Sequence, residues 1–411
     1  MSSITDINLA PYGEKKIQWV EKHMPILRAI GEEFEKTKPF AGLKCTLSVH
    51  LEAKTAYLCR VMAKGGAQMR VTGSNPLSTQ DDVCAALVAG GLDVYAHHGV
   101  TMEQYEADIR AALEWGPNII IDDGGDLVHM MHTEFPHMIP DVIGGCEETT
   151  TGILRLKAMD KAGTLKFPMV MVNEADCKHL FDNRYGTGQS VFDAILRTTN
   201  LVICGKEVVV AGYGWCGKGV AMRAKGLGAR VIVTEVDPVK AIEAHMDGFE
   251  VMTMDEAAAR GDIFCTVTGC NDVITEQHFA KMKDGAILSN AGHFDVEVNV
   301  AKLKAYAVDS YNARNNIDAY VMPNGNTLYL LGEGRIVNLA AGDGHPAEIM
   351  DMSFAIQALS AKYLVDNKGK VPVSVIAVPE ETDKAVAFKK LETLGISIDA
   401  LTEDQKEHMG V

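Results

Sequence analysis

The chain has 411 residues, 47% hydrophobic and 23% charged, enough apolar mass for two or three globular domains and too much for a disulfide scaffold or a disordered tail. Its 39 Lys and Arg against 55 Asp and Glu leave a net charge of -16, which repels phosphate backbones and anionic lipid and excludes nucleic acid and membrane surfaces as partners. No apolar run approaches the roughly 18 residues of a spanning helix. The N-terminus MSSITDINLAPYGEKK lacks a basic patch followed by a hydrophobic stretch, so the expected location is the cytoplasm. Nine cysteines scattered from Cys45 to Cys270 without a C-x-x-C pair predict reduced thiols and neither a disulfide framework nor a zinc site.

From about residue 15 to 300, amphipathic helix patterns alternate with short apolar runs, which predicts an α/β architecture of doubly wound parallel sheets. In the first half, strands are expected over 67–72, 92–95 and 118–122, each ending in a polar or glycine-containing turn where ligand groups gather. The tract FDNRYGTGQS, which carries Asn183 to Gly188, interrupts that rhythm with turn formers and predicts a boundary and hinge. Beyond it Glu207–Ala211, Arg230–Thr234, Ile263–Thr266 and 286–289 repeat the strand pattern and imply a second sheet. After Gly342 the stretch DGHPAEIMDMSFAIQALSAKYLVDN predicts one long returning helix, its Met and Phe stripe belonging to a core.

The strongest local signal is KEVVVAGYGWCGKGVAMRAKGLGARVIVTEVD, in which Gly212, Gly214 and Gly217 have G-x-G-x-x-G spacing between a strand and a helix. Glu235 follows at the end of the next strand, 18 residues beyond Gly217, where a carboxylate accepts hydrogen bonds from a ribose diol and repels a 2'-phosphate. The expected cofactor is therefore NAD, its pyrophosphate at the helix N-terminus. Lys218 and Lys240 would soften the preference over NADP.

Three dense polar tracts lie in the first half: IDDGGD (121–126), GCEETTTG (145–152) and VNEADCKHLFDN (172–183). Asp122, Asp123 and Asp126, or His129, His132 and His137, do not have the tight spacing of a metal site and read as solvated loop residues, so no metal is expected. Lys178 and Asp182, four apart, would share a helix face as an ion pair.

Together with GYGWCGKG, SNAGHFDVE and VNLAAGDGHP, these tracts resemble the S-adenosylhomocysteine hydrolase family along nearly the whole chain. The resemblance implies two Rossmann-like domains with a small C-terminal segment: a substrate domain at 1–183 and 345–377, an NAD domain at 184–344, and an oligomerisation segment at 378–411 used in a homotetramer. It implies an NAD-dependent, redox-neutral hydrolysis of a nucleosyl homocysteine. Oxidation at C3' acidifies the C4' hydrogen, homocysteine leaves by elimination, water adds, and the ketone is reduced back. A net dehydrogenase and a non-catalytic nucleotide-sensing regulator are the alternative classes.

Carried over by position, the resemblance places catalytic roles on His50, Asp123, Glu148, Lys178, Asp182 and His293, with substrate contacts from Lys54, Thr55, Thr149, Asn183, Asp343 and His345. It places NAD contacts on Thr149, Thr150, Thr151, Asn183, Gly212, Gly214, Gly217, Glu235 and Asn338. Lys178 is the implied base at the 3'-oxygen, its pKa lowered in a dry cleft. Glu148 and Thr149 hold ribose hydroxyls. His50, Asp123 and His293 share the C4' proton, the departing sulfur and the water, without a division among them.

Lys54 departs from the pattern, since many members carry there a Glu that accepts from adenine's 6-amino group, whereas lysine can only donate. A 6-oxo base suits Lys54 better, which favours S-inosylhomocysteine over S-adenosylhomocysteine. A mismatched charged hydrogen bond costs roughly 1.5–3 kcal/mol. Two arrangements would restore the adenosyl substrate: pairing of Lys54 with a nearby carboxylate, or reading of the base by backbone around Gly344 and His345. Asp343 is a further partner for a 6-position group or for Lys54.

Overall fold

The computed structural model describes residues 2–292 and 295–410, and His293 lies outside them. One sheet has seven parallel strands in the spatial order Val375–Ala377, Met169–Met171, Gly144–Glu147, Ile119–Asp122, Lys44–Ser48, Gln68–Thr72, Asp93–Tyr95. The strand order reverses direction between Lys44–Ser48 and Ile119–Asp122, the crevice where open parallel sheets bind ligands. In register, Ser48 pairs with Asp122 and Asp122 with Glu147. The loops that follow, bearing His50, Asp123 and Glu148, therefore leave the sheet side by side.

The second sheet runs 309–314, 317–321, 327–331, 287–290, 263–266, 207–211, 230–234, 250–251. Val208, Val209 and Val210 are fully buried, as expected of a parallel strand covered on both faces. This sheet is not wholly parallel, because 309–314, 317–321 and 327–331 pair antiparallel and form an edge that the sequence reading did not include. Its reversal falls between Glu207–Ala211 and Ile263–Thr266, which puts the glycine loop at the second crevice.

The predicted returning helix spans Ala347–Asp366. It buries Met352, Phe354, Ala355, Ile356, Ala358, Ala361 and Leu364 in the core of the first sheet, each large side chain contributing about 1.5–3 kcal/mol.

The turn expected at 183–188 is a correction. Residues 176–199 are helical throughout: Asp176–Lys178, a π-helical stretch His179–Gly186, then Thr187–Thr199. The glycines serve close approach rather than chain reversal. A Cβ on Gly186 would stand 2.9 Å from the His345 ring, one on Gly188 2.4 Å from Gly219 O, and one on Gly219 1.7 Å from Arg184 O. Two helical segments thus touch backbone to backbone: the continuous stretch 176–199, which bears Lys178 and Asp182 at its start and buries Val191, Phe192, Ala194 and Ile195 in the core of the second sheet, and the helix Trp215–Gly226.

Candidate active site

Between the two crevices lies a cavity of 1110 Å³, lined by both the polar tracts and the glycine loop. At its first-sheet end, His50 hydrogen-bonds Ser78 Oγ through Nδ1 at 2.7 Å and lies 3.5 Å from Asp123 through Nε2. Asp123 also accepts from Ser74 Oγ at 3.1 Å. The buried Thr55 hydroxyl donates to His50 O at 2.7 Å and fixes the loop.

At the centre is Lys178, buried with its Nζ 3.2 Å from Asp182, 3.5 Å from Glu148, and donating to Asn183 Oδ1 at 2.9 Å and Asn173 Oδ1 at 3.2 Å. The π-helical stretch explains the grouping, since closing hydrogen bonds five residues apart widens the turn and brings positions 182 and 183 both under Lys178. The returning helix and the loop just before it complete the cluster from the far side. Ser353 Oγ donates to Asp182 at 2.7 Å, Gln357 Nε2 donates to Glu148, and His345 Nδ1 bonds Asp182.

The electrostatics correct one expectation. Burial alone would push Lys178 down, but Asp182 and Glu148 outweigh it and hold the ammonium above its ordinary range. Burial would likewise raise Asp182, yet Lys178, His345 and Ser353 keep it well below the usual carboxylate range. Burial pushes the Glu148 carboxyl up from the ordinary range, with Lys178 opposing. Of the two carboxylates beside the charged Lys178, Glu148 is therefore the one that burial biases toward holding a proton.

At the second-sheet end, Gly212 has φ +100°, and a Cβ on Gly217 would meet Gly212 O at 2.0 Å. Gly214 has open space around its Cβ position and begins the helix Trp215–Gly226 without a side-chain cap, so first-turn amides face the cavity for a pyrophosphate. Glu235 accepts from Tyr213 N, Val236 N and Asp237 N at 2.7–3.1 Å and lines the same cavity. Asn338 is buried with its Oδ1 lacking a hydrogen-bond partner among the described residues, beside the cavity. These features fit a dinucleotide. Lys218 pairs with Glu243 at 2.6 Å, and both line the cavity together with Lys240. Thr149 caps the helix Thr150–Lys161 and accepts from Thr151 N, and Thr150 Oγ1 accepts from Asn173, so this threonine run bridges both ends.

Lys54 lines the cavity while buried, its Nζ 2.7 Å from Glu52 Oε2 and donating to Asp343 O at 2.8 Å. Asp343 itself is a correction: its carboxylate is 68% exposed and pairs with Arg197 at 3.0 Å, so only its backbone reaches the site. Glu52, Asn173, Ser353 and Gln357 are site residues that sequence reasoning did not single out. Asp122 is spent on Asp123 N and Val128 N, and Asp126 on Arg155. Among the described residues no group of three or more His, Cys, Asp or Glu is placed to hold a metal ion.

Family models match two stretches: "S-adenosyl-L-homocysteine hydrolase" over residues 2–135 and its "NAD binding domain" over 183–344. The chain is 56% identical over 409 residues to the S-inosyl-L-homocysteine hydrolases of Methanococcus maripaludis and Methanocaldococcus jannaschii, covering 100% of this chain and 98% of each relative. It is equally 56% identical over 406 residues to the adenosylhomocysteinase of Thermococcus kodakarensis, covering 99% of this chain and 96% of the relative. The chain belongs to the S-adenosyl-L-homocysteine hydrolase family, and its cofactor is NAD.

Proposed function

We propose that this chain hydrolyses an S-(purine nucleosyl)-L-homocysteine to L-homocysteine and the nucleoside, without net redox change. The observation that carries this reading is the meeting, in one cavity, of the buried Lys178 cluster with the glycine loop. NAD, when bound, supplies the hydride acceptor for C3' and returns the hydride at the end. Lys178 donates to the 3'-oxygen and holds its charge, while Glu148 takes up the proton displaced there. Asp182, fixed by Ser353 and His345, keeps Lys178 cationic and in place. His50 and Asp123 face the far end of the cavity, toward the C4' hydrogen and the departing sulfur.

For the base, overall identity does not discriminate, being 56% to relatives of both names. Lys54 supports inosyl: its ammonium has three donors, two are used by Glu52 and Asp343 O, and the third is available to a 6-oxo acceptor. Glu52 supports the adenosyl reading, since it places a carboxylate beside that ammonium within the same cavity wall. The test is homocysteine release from both substrates by NAD-loaded protein and by Lys54→Met. Inosyl preference that falls about ten- to a hundredfold in the variant assigns Lys54 as the reader. Adenosyl preference that survives the variant assigns Glu52 or backbone instead, and release from neither substrate would leave a regulatory role.

The substrate domain is read as 1–183 with 345–377, the NAD domain as 184–344, and 378–411 as a segment that also serves assembly. Exposed Leu196, Leu201 and Val202, with Phe388, Leu394, Ile396 and Ile398, support a homotetramer. No helix among the described residues is long and apolar enough to cross a membrane, and nine free thiols suit the reducing cytoplasm.

A further inference from the structure

We propose that Asp383, on the C-terminal helix Glu380–Thr393, is a positioning residue that sets the location of Lys178. This rests on the reading of Lys178 given above. The helical stretch 176–199 begins at Asp176 behind Ala175, whose side chain cannot cap it. Helix-starting amides have no partner inside their own helix. Here they find one about two hundred residues away in sequence: Asp383 Oδ2 accepts from Asp176 N at 2.7 Å and Oδ1 from Cys177 N at 2.9 Å. A third contact, Cys177 Sγ to Asp383 O at 3.4 Å, closes the same corner. The negative charge also suits the positive end of the helix.

Lys178 is the next residue, and four oxygens must sit within 2.9–3.5 Å of its Nζ. Any shift of the 176–177 backbone is therefore transmitted directly to the reacting end. The same C-terminal helix also grips the other half of the cluster. Lys390 Nζ donates to Glu348 O at 2.8 Å, in the first turn of the returning helix that bears Ser353 and Gln357, and Val386 is buried in the shared core. Asp383 and Lys390 thus clamp the two helices whose side chains meet at Lys178, so part of the 378–411 segment acts inside its own chain on the reaction geometry.

The test compares Asp383→Ala, Asp383→Asn, Val386→Ala and Lys178→Ala in the full-length, NAD-loaded protein. The readouts are the single-turnover rise of reduced nicotinamide absorbance on adding S-inosylhomocysteine or S-adenosylhomocysteine, KM, bound NAD and thermal midpoint. Asp383→Ala is expected to slow the oxidation about ten- to a hundredfold, the scale of an ångström-size misplacement, with KM and bound NAD nearly unchanged. Asp383→Asn, which keeps one accepting oxygen, recovers most of the rate. Val386→Ala lowers the midpoint but leaves the rate.

A wild-type rate in Asp383→Ala, while Lys178→Ala is inactive, overturns the positioning role and leaves the Lys178 reading intact. Slowing in Val386→Ala matched to its loss of thermal midpoint, on the same line as Asp383→Ala, overturns it as mere packing. A wild-type rate in Lys178→Ala removes the reading on which it rests.

Discussion

Gly219→Ala probes the contact between the two helical segments that bring Lys178 and the cofactor loop together. The added methyl would stand 1.7 Å from Arg184 O and 2.6 Å from Arg184 C, whereas ordinary contact begins at 3.4 Å. Since the obstacle is backbone, the helices must separate by about 1.7 Å or bend around the site. Overpacking of this kind costs about 1–3 kcal/mol, and the absence of a flexible side chain puts the expectation at the upper end. Arg184 directly follows Asp182 and Asn183, so the displacement reaches the partners of Lys178 and separates them from the glycine loop. A shift of this size lowers the rate about a hundredfold. Gly226→Ala is the matched control on the same helix, because its Cβ meets nothing within 4 Å. Thermal unfolding and single-turnover oxidation are measured on both. If Gly219→Ala keeps its midpoint and a rate within about twofold of Gly226→Ala, the two helices are not in rigid register and the argument from their contact fails.

Asp351, fully buried, accepts from Ile26 N and Leu27 N at 3.1 and 2.8 Å, and burial pushes its carboxyl up from 3.8 to about 6. The native state then holds the proton more tightly than the unfolded chain. Its contribution is present below the unfolded value and is lost as pH rises through the folded one, about 3 kcal/mol in all. Asp351→Asn should flatten the fall in urea stability between about pH 4 and pH 6; parallel curves would count against it. Glu235→Ala should weaken NAD binding about ten- to a hundredfold by removing charge-assisted bonds to the ribose diol, and should shrink the penalty against NADP. Titration of cofactor-stripped protein checks this, and unchanged selectivity would remove Glu235 from the ribose site.

The strands legible from sequence were those whose packing and propensity agree. Glu207–Ala211, Arg230–Thr234 and Ile263–Thr266 coincide with the observed elements, because buried parallel strands are β-branched runs with polar ends. Gly144–Glu147 escaped for the opposite reason. A Cβ on Gly145 would come within 2.7 Å of Ile120 O and of Met169, so tertiary space, not propensity, selects glycine in that strand. The edge at 309–314 is exposed along its length and carries no hydrophobic alternation. In the site, the glycine loop and the polar tracts were visible as dense local signals. Ser353 and Gln357 were hidden inside an apolar helix, although a polar pair four apart on a buried face was the available clue. Glu52 was missed because its capping role, accepting from Thr55 N and Lys54 N, looks like an ordinary helix start. The lowered pKa foreseen for Lys178 failed because desolvation was considered without the second carboxylate that folding brings to it.

The glycine contact at 188 and 219 also bears on modularity. A chain with two sheets and a glycine-rich junction looks divisible, yet the junction is a helix pressed against its neighbour with no room for a methyl group. It is a weld and not a tether. Limited proteolysis should open other segments before this one, an insertion between Asn183 and Gly188 should not be tolerated, and a swap of the NAD-binding unit for that of another protein would have to preserve the close approach of Gly219 to the Arg184 backbone.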